Sequence, residues 1–293
     1  MRPAVEIKDL VKTYDGDRAL DRISFTIQEG EIFGFLGPNG AGKTTTINCI
    51  TGLSTITSGA IAVFGFDVVR EYVQARKCIG LSPQEYSFDV YFTVQEIMEF
   101  QAGYMGIPKN HSLPRIRELL ELFDLEKKAK VKVRQLSGGM KRRLSIAKAM
   151  VHDPKLLILD EPTAALDVDL RLEMWDYLNK LKGQGKTILL TTHYIDEAER
   201  LADRVGIIHH GRIIMIRNTG EIIKELGNAT IRVRPKKLAI PPGIKGKIEH
   251  DSILFSNLPV EAIIKAFQKE KNPVLDISTE KEDLEDIFVR LTR

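Results

Sequence analysis

The sequence predicts an α/β fold, in which a mostly parallel β-sheet carries helices on both faces. Three observations predict it. A short apolar run, "IFGFLG" (32–37), ends in a glycine-rich loop and is followed by the helical pattern "KTTTINCITGL". Further along, "KLLILDE" (155–161), "EMWDYLNKLKGQGK" (173–186), "TILLTTH" (187–193) and "DEAERLADR" (196–204) alternate strand, helix, strand, helix. Such alternation pairs strands in parallel and puts the helices on the sheet faces. Between these blocks, residues 93–152 read as helical, which predicts an inserted α-helical subdomain.

The remaining elements follow in chain order. "AVEIKDLVKTY" and "ALDRISFTI" are β-rich, with turn signals at "DGD" (15–17) and "EGE" (29–31), and predict an antiparallel β subdomain at the N-terminus. "TVQE" (93–96) has the Thr-x-x-Glu form of a capping box. "LPRIRELLELFDL" (113–125) puts Ile116, Leu119, Leu120 and Phe123 on one helical face. "GGMKRRLSIAKAMVHD" (138–153) runs as a helix towards Pro154. A boundary is expected near "ELGNAT" (225–230), dividing a main α/β domain, 1–228, from a small α+β C-terminal appendage, 229–293. The appendage reads as strands "TIRVRP", "KIEHDSILFSN" and "VLDIST", a helix "PVEAIIKAFQKEKNP", and a last amphipathic helix "EDLEDIFVRLT".

Composition narrows the function classes. The 293 residues are 43% hydrophobic and 28% charged, as in a globular protein. The net charge of +3, from 43 basic and 40 acidic residues, is too balanced to imply nucleic acid or a membrane surface as partner. Cys49 and Cys78 are isolated, so a reducing compartment is expected, without a disulfide framework or a cysteine metal site. No signal-peptide core opens the chain, and no run approaches the roughly 18 apolar residues that span a bilayer. The chain is therefore not expected to cross a membrane by itself.

"GPNGAGKTT" (37–45) fits the phosphate-loop pattern through Gly37, Pro38, Asn39, Gly40, Ala41, Gly42, Lys43 and Thr44, with Thr45 next. Glycines let backbone N–H groups wrap phosphate oxygens, and the helix N-terminus adds the positive end of its dipole. Lys43 can reach β- and γ-phosphates, and the Thr44 hydroxyl can ligate Mg²⁺. "LLILDE" sets Asp160 and Glu161 at the tip of an apolar strand, where carboxylates are costly unless a cation or a proton transfer uses them. Asp160 is the candidate for Mg²⁺, and Glu161 for the base that activates water. His193 ends the next apolar strand, at the same sheet edge, within reach of a γ-phosphate. Gln84 in "GLSPQ" and Tyr14 in "VKTY" have little specificity taken alone. "LSGGMKRR" (136–143) adds a second glycine-bearing helix start. Ser137 is a good N-cap, and Gly138 and Gly139 expose N–H groups, making an anion site that lacks its own anion.

A phosphate loop alone leaves kinases, GTPases, helicases and many ATPases open. The ordered set of loop, Gln84, Ser-Gly-Gly, Asp-Glu and His193 resembles the ATP-binding-cassette ATPases over about residues 4–225. That resemblance implies a P-loop NTPase core, ATP and Mg²⁺ as cofactors, and ATP hydrolysis. It implies a head-to-tail pair with a second copy or a homologous cassette, in which Ser137, Gly138 and Gly139 face the γ-phosphate held by the partner's loop. It also implies that Tyr14 stacks on adenine, that Gln84 senses γ-phosphate and Mg²⁺, and that Asp167 lies at the dimer seam. The loop before Asp167 departs from a common Ser/Gly-containing form, because Ala165 cannot donate a hydrogen bond.

The segment "EYSFDVYFTVQEIMEF" (85–100) would meet a membrane subunit through aromatics such as Tyr86, Phe88, Tyr91 and Phe92, although core packing accounts for at least half of them. Met140 with Lys141, Arg142 and Arg143, together with the last helix, resembles the drug, sodium, antibiotic-resistance and polysaccharide exporter branch. The implied role is the ATPase subunit of an exporter with separate transmembrane permease subunits. Its implied location is cytoplasmic, on the inner face of the membrane. The alternative is a soluble cassette ATPase acting on ribosomes or nucleic acid. Such chains carry two cassettes, or a long coiled coil between the loop and the Ser-Gly-Gly element, and neither is visible here.

Overall fold

A computed structural model describes residues 3–85, 88–164, 166–226, 229–256 and 258–281. Tyr86, Ala165 and the helix expected after residue 281 lie outside the described residues. The chain divides into two compact units, 1–219 and 220–293.

The first unit opens with β1 (Val5–Tyr14), β2 (Asp17–Ile27), β3 (Ile32–Leu36), α1 (Lys43–Thr51), β4 (Ser58–Val63), β5 (Phe66–Asp67), α2 (Tyr72–Lys77) and β6 (Ile79–Ser82). It continues with α3 (Val94–Tyr104), α4 (Lys109–Leu122), α5 (Gly138–Ala149), β7 (Leu156–Asp160) and α6 (Val168–Gly183). It closes with β8 (Thr187–Thr192), α7 (Ile195–Leu201), β9 (Arg204–His209) and β10 (Arg212–Asn218).

Two sheets make its frame. β2-β1-β4-β5 is antiparallel throughout. The second sheet has the order β10-β9-β3-β8-β7-β6, parallel except for the β10–β9 hairpin. Every residue of β3, β7 and β8 is buried, as expected of strands covered on both faces. Phe25 of β2 stacks on Phe33 and Phe35 of β3, with ring centroids 5.5 and 5.4 Å apart, in the core shared by the two sheets.

The inserted helices follow their local signals. Thr93 caps α3 with its hydroxyl and receives Glu96 in return, a complete capping box. Ile116, Leu119 and Leu120 of α4 are buried, and so is Phe123 just beyond it. The helix begins at Lys109, ahead of Pro114, because Pro108 precedes its first turn and accepts the amides of His111 and Ser112. The proline is thus accommodated inside the helix rather than starting it.

The second unit contains α8 (Thr219–Leu226, whose first residue belongs to the first unit), β11 (Ala229–Pro235), β12 (Lys247–Glu249), β13 (Ser252–Ser256), α9 (Val260–Lys269) and β14 (Val274–Lys281). Its antiparallel sheet runs β12-β13-β11-β14. Ile231, Val233, Ile253 and Phe255 of the strands pack with Ile263 and Phe267 of α9. The division falls at 219/220, ahead of the boundary expected near residues 225–230, and α8 goes with the second unit.

Candidate functional site

Register brings the chemical residues together. Leu36 of β3 pairs with Thr192 of β8, Thr191 of β8 with Asp160 of β7, and Leu159 of β7 with Ser82 of β6. Four parallel strands therefore end side by side. The residues following their tips are Gly37, His193, Glu161 and the Pro83–Gln84 segment, the edge where parallel sheets hold ligands.

The loop after β3 is held by close packing. A side chain at Gly37 would meet the Ile208 carbonyl at 2.4 Å, and Gly42 sits at φ 110° against Leu20. Pro38, Asn39 and Gly40 are exposed, while Ala41, Gly42 and Lys43 are buried. Thr44 and Thr45 follow in the first turn of α1. The Lys43 ammonium donates to the carbonyls of Gly37 (2.6 Å) and Pro38 (3.2 Å) and lies 3.8 Å from Glu161. Burial holds its pKa below the ordinary lysine value, against the opposing pull of Glu161 and Asp160.

Asp160 accepts a hydrogen bond from Thr44 at 3.0 Å and another from the Thr191 hydroxyl. A hydroxyl beside a carboxylate is an oxygen donor set of the kind Mg²⁺ takes when phosphate oxygens complete its shell. Among the described residues, no three His, Cys, Asp or Glu side chains gather into a cage. Glu161 is 8% exposed and has φ 48°, a left-handed conformation that is unfavourable for a side chain of its size. Its amide donates to the Thr191 carbonyl and hydroxyl, both at 3.1 Å. Its carboxylate is the centre of the site. Gln84 donates to it at 3.2 Å, His193 Nδ1 lies 3.3 Å away, and Lys43 approaches the other oxygen.

Five expected residues stand apart from this cluster: Tyr14, Ser137, Gly138, Gly139 and Asp167. The Tyr14 ring is 43% exposed, with its hydroxyl 3.1 Å from Ser54 and the Lys12 ammonium 4.5 Å from its centroid. The described hydrogen bonds of Ser137 stay within α5, which it caps by accepting the Met140 amide at 3.2 Å. Ser137 and Gly138 are exposed, while Gly139 packs under Leu170 of α6. Asp167 caps α6 by accepting the Leu170 amide at 2.9 Å. Of the aromatics after Gln84, Tyr91 is exposed, Phe92 packs edge-on against Phe100, and Lys148 lies 5.7 Å from the Phe88 ring.

Two residues at the site were not singled out by sequence. Thr191 ties Asp160 to the Glu161 backbone; its signal was a hydroxyl at the end of the apolar run "ILL" in a strand buried throughout. Arg142, within a run of three cations, is 4% exposed and turned inward.

The fold and this site define a phosphate-loop nucleoside triphosphatase. Residues 20–164 match the family described as ABC transporter. A curated relative, Nod factor export ATP-binding protein I of Burkholderia orbicola (strain AU 1054), is 38% identical, with 98% of this chain and 96% of the relative covered. Among solved structures, cbiO1 from Clostridium perfringens, part of the ABC transporter complex cbiONQ, aligns with TM-score 0.71 at 30% identity, covering 77% of this chain and 92% of that one. A dimeric ATP-binding cassette in a post-hydrolysis state with ADP and Pi aligns with TM-score 0.68 at 28% identity, covering 73% of this chain and 98% of that one. The chain belongs to the ABC transporter family. It is an ATP-binding, ATP-hydrolysing transporter subunit, and the alternative of a ribosome- or nucleic-acid-directed ATPase finds no support in these relatives.

Proposed function

We propose that this chain powers an exporter as one of two cassettes paired head to tail, each nucleotide held between the Lys43 loop of one and the Ser137 turn of the other. The observation that carries this is the pair of unequal helix starts: Lys43 converges with Glu161, Gln84 and His193, while Ser137 and Gly138 face outward from α5. The loop from Gly37 to Thr45 wraps the phosphates, with Lys43 balancing their charge. Thr44, Asp160 and Gln84 would hold Mg²⁺, which would supply charge neutralisation at the phosphate oxygens. Glu161 takes the proton of the attacking water, and His193 orients Glu161 and contacts the γ-phosphate. Tyr14 offers its exposed ring to adenine, and Asp167 meets the partner at the seam.

Among the described residues no helix is long and apolar enough to cross a membrane. In this reading, separate permease subunits form the channel. A cleft of about 310 Å³ lies between Ile79 and Leu81 of β6 and Gln101 and Tyr104 of α3. Leu53 and Tyr104 in it are 69% and 88% exposed, and Arg76 and Lys148 give it a cationic side, features that fit a docking permease helix. The cassette would then work at the inner membrane face. The Burkholderia relative's name includes export, which supports that direction. We assign residues 1–228 to the cassette and 229–293 to an accessory domain.

Light scattering tests the pairing. Glu161→Gln removes the base and keeps the shape, so with Mg-ATP it accumulates as a dimer while turnover falls by about 10³-fold. A Glu161→Gln protein that stays monomeric at saturating Mg-ATP contradicts the proposal.

A further inference from the structure

Arg142 lies in the second turn of α5, the helix that Ser137 caps, with its guanidinium directed inward. It reaches two stretches of backbone. Nε donates to the Pro162 carbonyl at 2.8 Å, and Nη2 to the Asp160 carbonyl at 2.6 Å. Nη1 donates to the Pro83 carbonyl at 2.6 Å, with Gln84 O at 3.4 Å. Two of these carbonyls bracket Glu161, and the other two bracket the start of the Gln84 segment. One turn further along α5, the buried hydroxyls of Ser145 and Ser82 are 2.8 Å apart, a second tie to the same strand tip.

We propose that Arg142 is a positioning residue that joins the Ser137 helix, the Gln84 segment and the Glu161 turn into one body. Glu161 is held at positive φ, and such a conformation persists only where its surroundings over-determine it. Thr191 fixes its amide from one side, and the Arg142 fork fixes the flanking carbonyls from the other. Only a planar group with five N–H donors can serve these carbonyls together, so lysine does not replace it. The residues that answer to ATP in this chain's own site thereby set the position of the helix offered to the partner. This last step rests on the head-to-tail reading; the aiming of Glu161 does not.

Arg142→Lys in the full chain provides the test. The Lys43 loop is untouched, so the KM for ATP stays within about threefold while kcat falls by about 10²-fold, the scale expected of a misplaced catalytic group. A role confined to stability instead lowers the thermal midpoint and leaves kcat per folded molecule unchanged once the folded fraction is measured by active-site titration or circular dichroism, which overturns the proposal, as does a kcat near that of the unsubstituted protein. A measurement without substitution covers the case of a variant that fails to fold. On adding Mg-ATP, hydrogen exchange at the amides of Gln84, Glu161, Ala164 and α5 should slow as one cooperative unit. Protection of Glu161 and Ala164 without α5 overturns the single-body proposal. The double variant Glu161→Gln/Arg142→Lys separates the two readings. If Glu161→Gln pairs with Mg-ATP and the double variant does not, Arg142 presents α5 to the partner. If both pair equally, that part of the proposal is overturned. If Glu161→Gln alone stays monomeric, it is the head-to-tail reading that fails.

Discussion

The loop before α1 and the turn before α5 both open a helix with glycine, but their surroundings differ. Around the first, Gly37 and Gly42 are locked by Ile208 and Leu20, and Lys43 is buried against its own loop and Glu161. Around the second, Ser137 and Gly138 are exposed, and a side chain at Gly138 would meet nothing within 4 Å. One is a cradle whose chemical partners lie in the same chain. The other is exposed and, in the head-to-tail proposal, supplies half of a site completed by a second cassette. Under that proposal, the burial around each glycine-bearing helix start distinguishes the half that holds the nucleotide from the half that is presented to it.

Substitutions can break this comparison, and the largest effect belongs to the first loop. Lys43→Ala should lower both ATP binding by the isolated chain and turnover, the latter by about 10³-fold. Equilibrium binding and phosphate release measured on the same protein check it, and unchanged binding would break the comparison. Ser137→Ala should separate the two quantities: turnover falls by about 10- to 100-fold, binding by the isolated chain is retained, and the lost cap costs about 1 kcal/mol. Equal losses of binding and turnover would place Ser137 in its own chain's site.

Gly138→Ala is the subtler probe. The space around it is open and alanine favours a helix, so stability should hold or rise by about 0.5–1 kcal/mol. Turnover should nonetheless fall by roughly tenfold, because the added methyl meets the partner's phosphate. Denaturant unfolding alongside an ATPase assay reads both.

The smallest effect is in the pH dependence of stability. Burial lowers the pKa of Lys43 from 10.5, so between its depressed value and 10.5 the unfolded chain binds more protons than the folded one. Its contribution to stability therefore rises with pH across that window. Relative to Lys43→Met, the unsubstituted protein should gain stability as pH climbs towards 10.5, as urea unfolding would record. A flat difference would mean that Lys43 is not desolvated.

The legible parts of this molecule are those whose signal is local. The strand-loop-helix around Lys43, the capping box at Thr93, and the carboxylates ending an apolar strand were readable because neighbours in sequence specify them. Arg142 was not. Lys141, Arg142 and Arg143 look alike in a run, yet Arg143 turns to Asp124 (3.6 Å) and Glu173 (4.0 Å) while Arg142 meets carbonyls from two other strand tips. Those carbonyls carry no sequence signal, since every residue has one. Thr191 was hidden for a related reason: strand periodicity marks it as buried, but only the pairing of β7 with β8 sets it beside Asp160. Ser137 was legible as a cap, and its exposure, with its hydrogen bonds confined to α5, is what the tertiary structure adds.

The most direct test of the shared site mixes two impaired proteins. Lys43→Ala lacks a working loop, and Ser137→Ala lacks a working turn. In a head-to-tail pair of the two, one site joins the intact Lys43 of the second to the intact Ser137 of the first. The account predicts that mixing restores ATPase activity well above the sum of the separate proteins. Activity equal to that sum, with mixed dimers demonstrably formed, would contradict it.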